Sequence, residues 1–409
     1  MANSDYVVHP ALIVPAAEVE ARLARLQSRL AALDLPAAVV THRVDLYYLT
    51  GSMPNGVLVC PAQGAPAYFV RKSLSRARAE SPLVDLRPLR GPDDWLAHVR
   101  ELAGGETARV GIDLDVLPAA IYLQLVKKAP QVQWVDTGPV LRELRAVKSA
   151  WEIARLEEAA RQVEMAFTAA CDAIFEGITE LEISVIMENT MRLAGHSSLV
   201  RLRRPGLELV VTHVSTGASA AAPTAFDGPV GAQGLHPASA GGGGRVALRR
   251  GVPVMLDILG VSAGYTADIA RTICLGEPPD EIKRAHDFCR EALRRIEDLL
   301  RPGTPWGEVY DRVAAWAKER GEPVGFMGYG ENRVKFFGHG VGLEVDELPI
   351  LAHGFQQPLE AGHVIAVEPK AFSPDLGPAG VENTYVVEEK GPRSLASWPL
   401  DITIVKNEE

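Results

Sequence analysis

Apolar positions change their period along this chain, and the changes predict its elements. From Val19 to Leu33 they recur at helical spacing, after which PAAVVT and LYYLTG read as short buried strands broken by Arg43 and Asp45. GVLVCP and PAYFVRK continue the strand pattern, and DDWLAHVREL is helical. Strands alternating with helices predict an α/β domain over residues 1–145.

The stretch LRAVKSAWEIARLEEAARQVEMAFTAACDAIF then keeps helical spacing over many turns, with Ser149 as N-cap and Glu152 as its capping-box partner. A second domain, residues 146–409, begins there. Gly177 stops this helix, Thr179 and Glu182 open the next, and Gly195 closes it. The following segment, ELVVTHVSTGASAAAPTAFDGPVGAQGLHPASAGGGG, is glycine-rich and shows no clear period, so it reads as a long loop, a feature that is usually functional or disordered. Its GGGG run reads as a flexible turn: a phosphate cradle would need a helix N-terminus next, and RVALRRGVPVMLDILG begins a strand instead.

Composition narrows the function classes. A length of 409 residues exceeds one ordinary core, and 47% hydrophobic with 23% charged residues is a soluble globular composition. A formal charge of -10 argues against nucleic acid as partner; the basic run RLRR at Arg201–Arg204 reads as a solvated loop edge. Cys60, Cys171, Cys274 and Cys289 are widely spaced with no C-x-x-C pair, which suggests neither a disulfide framework nor a thiolate zinc site and fits a reducing compartment. The N-terminal stretch carries acidic residues and prolines instead of a basic segment followed by an apolar one, and no apolar run reaches bilayer length. The expectation is a cytoplasmic protein with no membrane partner.

The chemistry concentrates in two carboxylate pairs. In VPVMLDILGVSAGYTADIARTICLG, Asp257 and Asp268 lie on two apolar stretches joined by a turn, so a hairpin brings both to one side of a sheet. In HVIAVEPKAFSPDLGPAGVENTYVVEE, Glu368 and Glu382 repeat that arrangement. An acidic residue within an apolar strand costs several kcal/mol to bury unless it is paired or coordinates a metal. Between the pairs, His339 is flanked by Gly338 and Gly340, which permit close backbone approach. One imidazole and four carboxylates form a donor set for hard or borderline ions such as Mn, Co, Fe or Zn, with Mn favoured, and four negative charges balance two divalent cations. Such a pair of ions activates water between them, so hydrolysis is the expected reaction.

These stretches resemble the metallopeptidase family that includes methionine aminopeptidase, Xaa-Pro aminopeptidase and prolidase and shares the pita-bread fold with creatinase. DILG with GYTADIARTI resembles its first metal hairpin, GHGVGL its histidine motif, and AVEPK with GVENTYVV its glutamate motifs. RAVKSAWEIARLEEAA resembles the start of the catalytic domain in the Xaa-Pro branch, and LYYLTG a strand of the N-terminal creatinase-type domain. The resemblance implies an α+β protein with a pita-bread catalytic domain and a smaller N-terminal domain. It also implies two metal ions on Asp257, Asp268, His339, Glu368 and Glu382, Glu368 as general base, a metal-bridging hydroxide as nucleophile, a homodimer, and a peptide or other small-molecule substrate.

Three departures bear on the substrate. Asp346, in DELP, stands where the family carries a histidine that helps bind the substrate carbonyl. Gly380 stands where prolidase-like members carry an arginine for a substrate carboxylate, with Arg43, Arg71 or Lys370 as substitutes. A further active-site histidine is missing at AAAPT, and His236 in GLHP is its nearest replacement; His353 and His363 are weaker candidates. The leading reading is an Xaa-Pro aminopeptidase or dipeptidase. A creatinase-like or lyase-like enzyme on a small non-peptide substrate is the alternative, and a silent binding module a third that five intact ligand positions disfavour.

Overall fold

The computed structural model describes residues 12–104, 108–204, 206–330 and 333–406. Residues 1–11 of the stretch read for a targeting signal lie outside them. The described residues cluster into two units that divide between Arg145 and Ala146.

The first unit runs α1 (Ala16–Ala32), β1 (Ala37–Val40), α2 (Arg43–Thr50), β2 (Gly56–Pro61), β3 (Ala67–Val70), α3 (Leu74–Glu80), β4 (Leu86–Pro88), α4 (Pro92–Ala103), β5 (Ala108–Ile112), α5 (Ala119–Lys128), β6 (Val132–Asp136) and α6 (Gly138–Ala146). Its six strands form one mixed sheet in the order β4-β3-β2-β1-β5-β6. LYYLTG is not the expected strand: it lies in α2, which ends at Gly51 in the left-handed conformation with its amide on the Tyr47 carbonyl. The misreading has a physical cause. Val44, Leu46, Tyr48 and Leu49 are all buried, so the helix shows a continuous apolar run from which period alone cannot separate it from a strand. Asp45 is accommodated there because the Arg145 guanidinium lies 2.8 Å away.

The second unit opens with α7 (Ala150–Ala173) and α8 (Glu180–Leu193). Both carry the expected capping boxes, Ser149 with Glu152 and Thr179 with Glu182. Their apolar faces pack on a four-stranded sheet of order β17-β9-β8-β7, made of β7 (Thr212–Thr216), β8 (Pro253–Ser262), β9 (Tyr265–Leu275) and β17 (Thr403–Val405). Helices α9 (Asp280–Leu299) and α10 (Trp306–Arg320) cover a second layer in the same way. There β10 (Phe336–Gly340), β11 (Glu347–Ala352), β12 (Val364–Val367), β15 (Asn383–Glu388) and β16 (Gly391–Ser394) form a sheet of order β11-β10-β12-β15-β16, beside the hairpin β13 (Lys370–Ser373) and β14 (Gly377–Gly380).

Two loop readings need correction. THVST is a fully buried strand, β7, paired along β8, so the supposed long loop begins with sheet. GGGG is buried and is no free turn: the Gly244 amide donates to Glu180 Oε2 at 2.9 Å, and a side chain at Gly243 would meet the Ser184 hydroxyl and the Glu180 carbonyl. Those glycines let the loop close over the start of α8, where Glu180 also accepts from the Thr216 amide at 2.8 Å.

Lys148 donates to Glu347 across 3.0 Å, with side chains 1% and 5% exposed. Removing one partner of a buried pair costs about 3–5 kcal/mol. Lys148→Met should therefore lower the unfolding free energy measured in urea by an amount of that order, and an unchanged value would show that Glu347 is satisfied without the ammonium.

Candidate metal centre

The β8–β9 register sets Asp257 opposite Ala270 and Leu259 opposite Asp268. Cross-strand partners share a face and residues two apart share a face, so both carboxylates point to one side, as the hairpin reading expects. β9 meets the second layer at an isolated bridge between Ala270 and Glu382, with the Ala270 amide 3.2 Å from the Glu382 carbonyl and the reverse bond at 3.0 Å. Thr384 locks the same junction, donating to the Asp268 carbonyl at 2.7 Å and accepting from its amide at 3.1 Å. Glu368 lies where β12 gives way to β13, and Glu382 where β14 gives way to β15. The two layers thereby converge their acidic residues.

His339 sits in β10, between β11 and β12 in its sheet. A Cβ on Gly338 would come within 2.3 Å of the Ala366 carbonyl, and one on Gly340 within 2.1 Å of the Leu348 carbonyl, so the flanking glycines serve close strand approach. His339 Nδ1 lies 2.9 Å from the Val345 carbonyl, which only accepts, so Nδ1 carries the proton and Nε2 keeps the lone pair that can ligate a metal. Nε2 is 3.7 Å from Glu368 Oε1 and 4.0 Å from Asp268 Oδ2.

Asp268, His339 and Glu382 offer donor atoms that all lie within 4.8 Å of one another. Asp268 Oδ1 and Glu382 Oε1 are buried without a hydrogen-bond partner among the described residues. Burial, then the Asp257 charge, push the Asp268 carboxyl well above its usual range; burial, then Asp268, do the same to Glu382. Unpartnered buried oxygens and mutually repelling anions need a cation, and the imidazole-carboxylate set fits a divalent one.

A cation the expectations treated only as a spare carboxylate clamp is also present. Lys370, 1% exposed, donates to Asp257 Oδ2 at 2.7 Å, Glu368 Oε2 at 3.0 Å and Glu382 Oε2 at 2.6 Å. Burial alone would lower its pKa, but the surrounding carboxylates hold the ammonium well above its ordinary value. Its three donors are thus taken, and none is left to clamp a substrate. The signal available in the sequence was a lysine two residues after Glu368, on the same face of an extended run.

His213 went unnoticed because β7 was read as loop. It is buried opposite Asp257 with Nε2 lacking a hydrogen-bond partner among the described residues, and burial holds its pKa below normal. The structure does not bring His236 and Asp346 to the cluster. His236 is exposed, its Nδ1 accepting from the Ala238 amide at 3.2 Å. Asp346 is exposed against the Arg203 amide, at 3.5 Å, while its neighbour Glu347 turns inward to Lys148. His363 is buried with its pKa pushed down to about 3 by burial, and His353 is exposed beside Asp311.

Residues 154–389, which carry this whole cluster, match the model of metallopeptidase family M24, and residues 22–147 match the creatinase/prolidase N-terminal domain. The chain belongs to metallopeptidase family M24. This M24 chain is 26% identical over 371 residues to an Xaa-Pro dipeptidase of Pyrococcus horikoshii, covering 90% of itself and 95% of that protein. It is 29% identical over 401 residues to a probable dipeptidase PepE of Mycobacterium tuberculosis, covering 95% and 97%. The crystal structure of dipeptidase PepE from Mycobacterium ulcerans matches it with a TM-score of 0.79 and 27% identity, over 97% of this chain and 100% of that one. The two-domain, pita-bread α+β architecture and the metallopeptidase class expected from the resemblance both hold. Among the described residues, no helix is long and apolar enough to cross a membrane.

Proposed function

We propose that this M24 chain hydrolyses Xaa-Pro peptides with divalent metal, held by Asp268, His339, Glu368 and Glu382. The observation that carries the reading is the convergence of donor atoms of Asp268, His339 and Glu382 within 4.8 Å, where Asp268 Oδ1 and Glu382 Oε1 are buried without a hydrogen-bond partner among the described residues. A divalent ion held there would supply a lowered water pKa and polarisation of a carbonyl oxygen. Glu368 takes the proton of the attacking water and delivers it to the leaving amide nitrogen, while its Oε2, held 3.0 Å from Lys370, keeps the carboxylate oriented. A cleft of about 350 Å³ lined by Phe226, Tyr329, Phe336 and Phe372 suits a small peptide with a proline ring. Phe336 reaches His339 with ring centroids 6.2 Å apart, and Phe226 reaches His213 at 5.4 Å. The reading extends to manganese as the working ion, to a cytoplasmic setting supported by free cysteines, and to the homodimer implied by the family resemblance.

The test is turnover of Ala-Pro, Ala-Ala and Ala-Pro-Ala by manganese-loaded protein before and after chelation. Xaa-Pro cleavage that disappears with the metal is expected. Because Gly380 offers no charge-assisted bond to a free carboxylate, and such a bond contributes about 1.5–3 kcal/mol, the dipeptide should not exceed the tripeptide by more than about tenfold. Metal-loaded protein that cleaves none of the three would overturn the peptidase reading.

A further inference from the structure

We infer that the Lys370 ammonium takes the place of a second divalent ion, so that this centre binds one metal ion per chain beside a built-in organic cation. The inference rests on the reading of the cluster as a metal centre and changes its stoichiometry.

The donor atoms divide into two sets. Asp257 Oδ2, Glu368 Oε2 and Glu382 Oε2 face Lys370 Nζ at 2.6–3.0 Å, a distance suited to charge-assisted hydrogen bonds. Glu382 Oε1 and Asp268 Oδ1 have no hydrogen-bond partner among the described residues, and Glu368 Oε1 lies 3.7 Å from His339 Nε2. The second set is what remains for a divalent ion. Asp257, one of the five expected ligands, gives its Oδ2 to the ammonium.

A second ion would have to take oxygens from Asp257 and Glu382 at about 2 Å. Lys370 already holds Asp257 Oδ2 and Glu382 Oε2, so a second ion drawing on either atom would strip a bond from a charge that is 1% exposed.

The fold also fixes the lysine in place. Lys370 starts β13 directly opposite Gly380, and its carbonyl accepts from the Met327 amide at 2.9 Å. Glu368 and Lys370 are two residues apart in an extended segment, so their side chains leave on one face. The pairing of β13 with β14 thus sets the ammonium against the carboxylates of the cluster.

Purified protein is loaded with excess Mn(II), freed of unbound ion, and measured for manganese per chain and for its low-temperature EPR spectrum. The expected result is one manganese per wild-type chain with an uncoupled spectrum. Lys370→Gly should bind two with the exchange-coupled spectrum of neighbouring ions, and Lys370→Met, which keeps much of the side-chain volume, should fall between them. Two ions in the wild type would overturn the inference, as would a single ion in both variants. If the variants do not fold, the wild-type count and spectrum still decide. No bound metal in the wild type would sink the metal-centre reading itself, a result distinct from a count of two.

Discussion

Replacing Asp268 by asparagine is expected to abolish both metal binding and peptide hydrolysis while leaving the fold intact. Asp268 offers an unpartnered buried oxygen to the cluster, with His339 Nε2 4.0 Å from its other oxygen. Loss of an outer-shell partner of a metal ligand already costs about 10–100-fold, so loss of a ligand carboxylate should reduce kcat/KM by about a thousandfold or more. Stability should respond in the opposite sense. A carboxyl whose folded-state pKa is raised stabilises the fold while protonated at acid pH and loses that contribution as the pH rises through the folded value. At neutral pH the Asp268 charge therefore opposes folding of the metal-free protein, and Asp268→Asn should melt no lower than wild type without metal. With manganese present, wild type should gain stability and the variant should not. Retained metal at wild-type content would remove Asp268 from the ligand set.

Gly380→Arg, which restores the arginine of prolidase-like members, is expected to damage the protein instead of improving dipeptide turnover. Gly380 has φ +130, and a Cβ there would lie 2.6 Å from both the Lys370 Cα and the Pro369 carbonyl. Both are backbone atoms of the strand that carries Lys370, so neither can move without shifting the ammonium. Backbone strain of this kind costs about 1–3 kcal/mol, and overpacking adds about 1–3 kcal/mol more. Gly380→Ala should lose nearly as much as Gly380→Arg in urea unfolding, because the clash begins at Cβ. An arginine variant with a wild-type midpoint and faster dipeptide cleavage would show that the position tolerates a side chain.

These outcomes make Lys370 and Gly380 one feature. The departure at position 380 looked from sequence like a missing substrate contact. In the fold, the small residue makes room for a strand whose lysine reaches Asp257, Glu368 and Glu382. Likewise, Asp346 differs from the family's histidine but is exposed beside the Arg203 amide, and the inward position next to it belongs to Glu347.

What was legible in the chain is what local physics controls. Capping boxes at Ser149 and Thr179 and the β8–β9 hairpin with its two aspartates on one face each depend on neighbours within a few residues or across one turn. Acidic residues inside apolar strands were equally readable, since their burial cost demands a partner. Period alone could not show that LYYLTG is a helix, because burial on nearly every side erases the polar face that would mark it. Nor could it show that THVST is a strand bringing His213 opposite Asp257, since that pairing spans residues far apart in sequence. The position of Lys370 is the clearest case. Which carboxylates surround its ammonium depends on β13 meeting β14 and on both glutamates converging with the aspartate hairpin, contacts that form only when the two layers of the second unit pack.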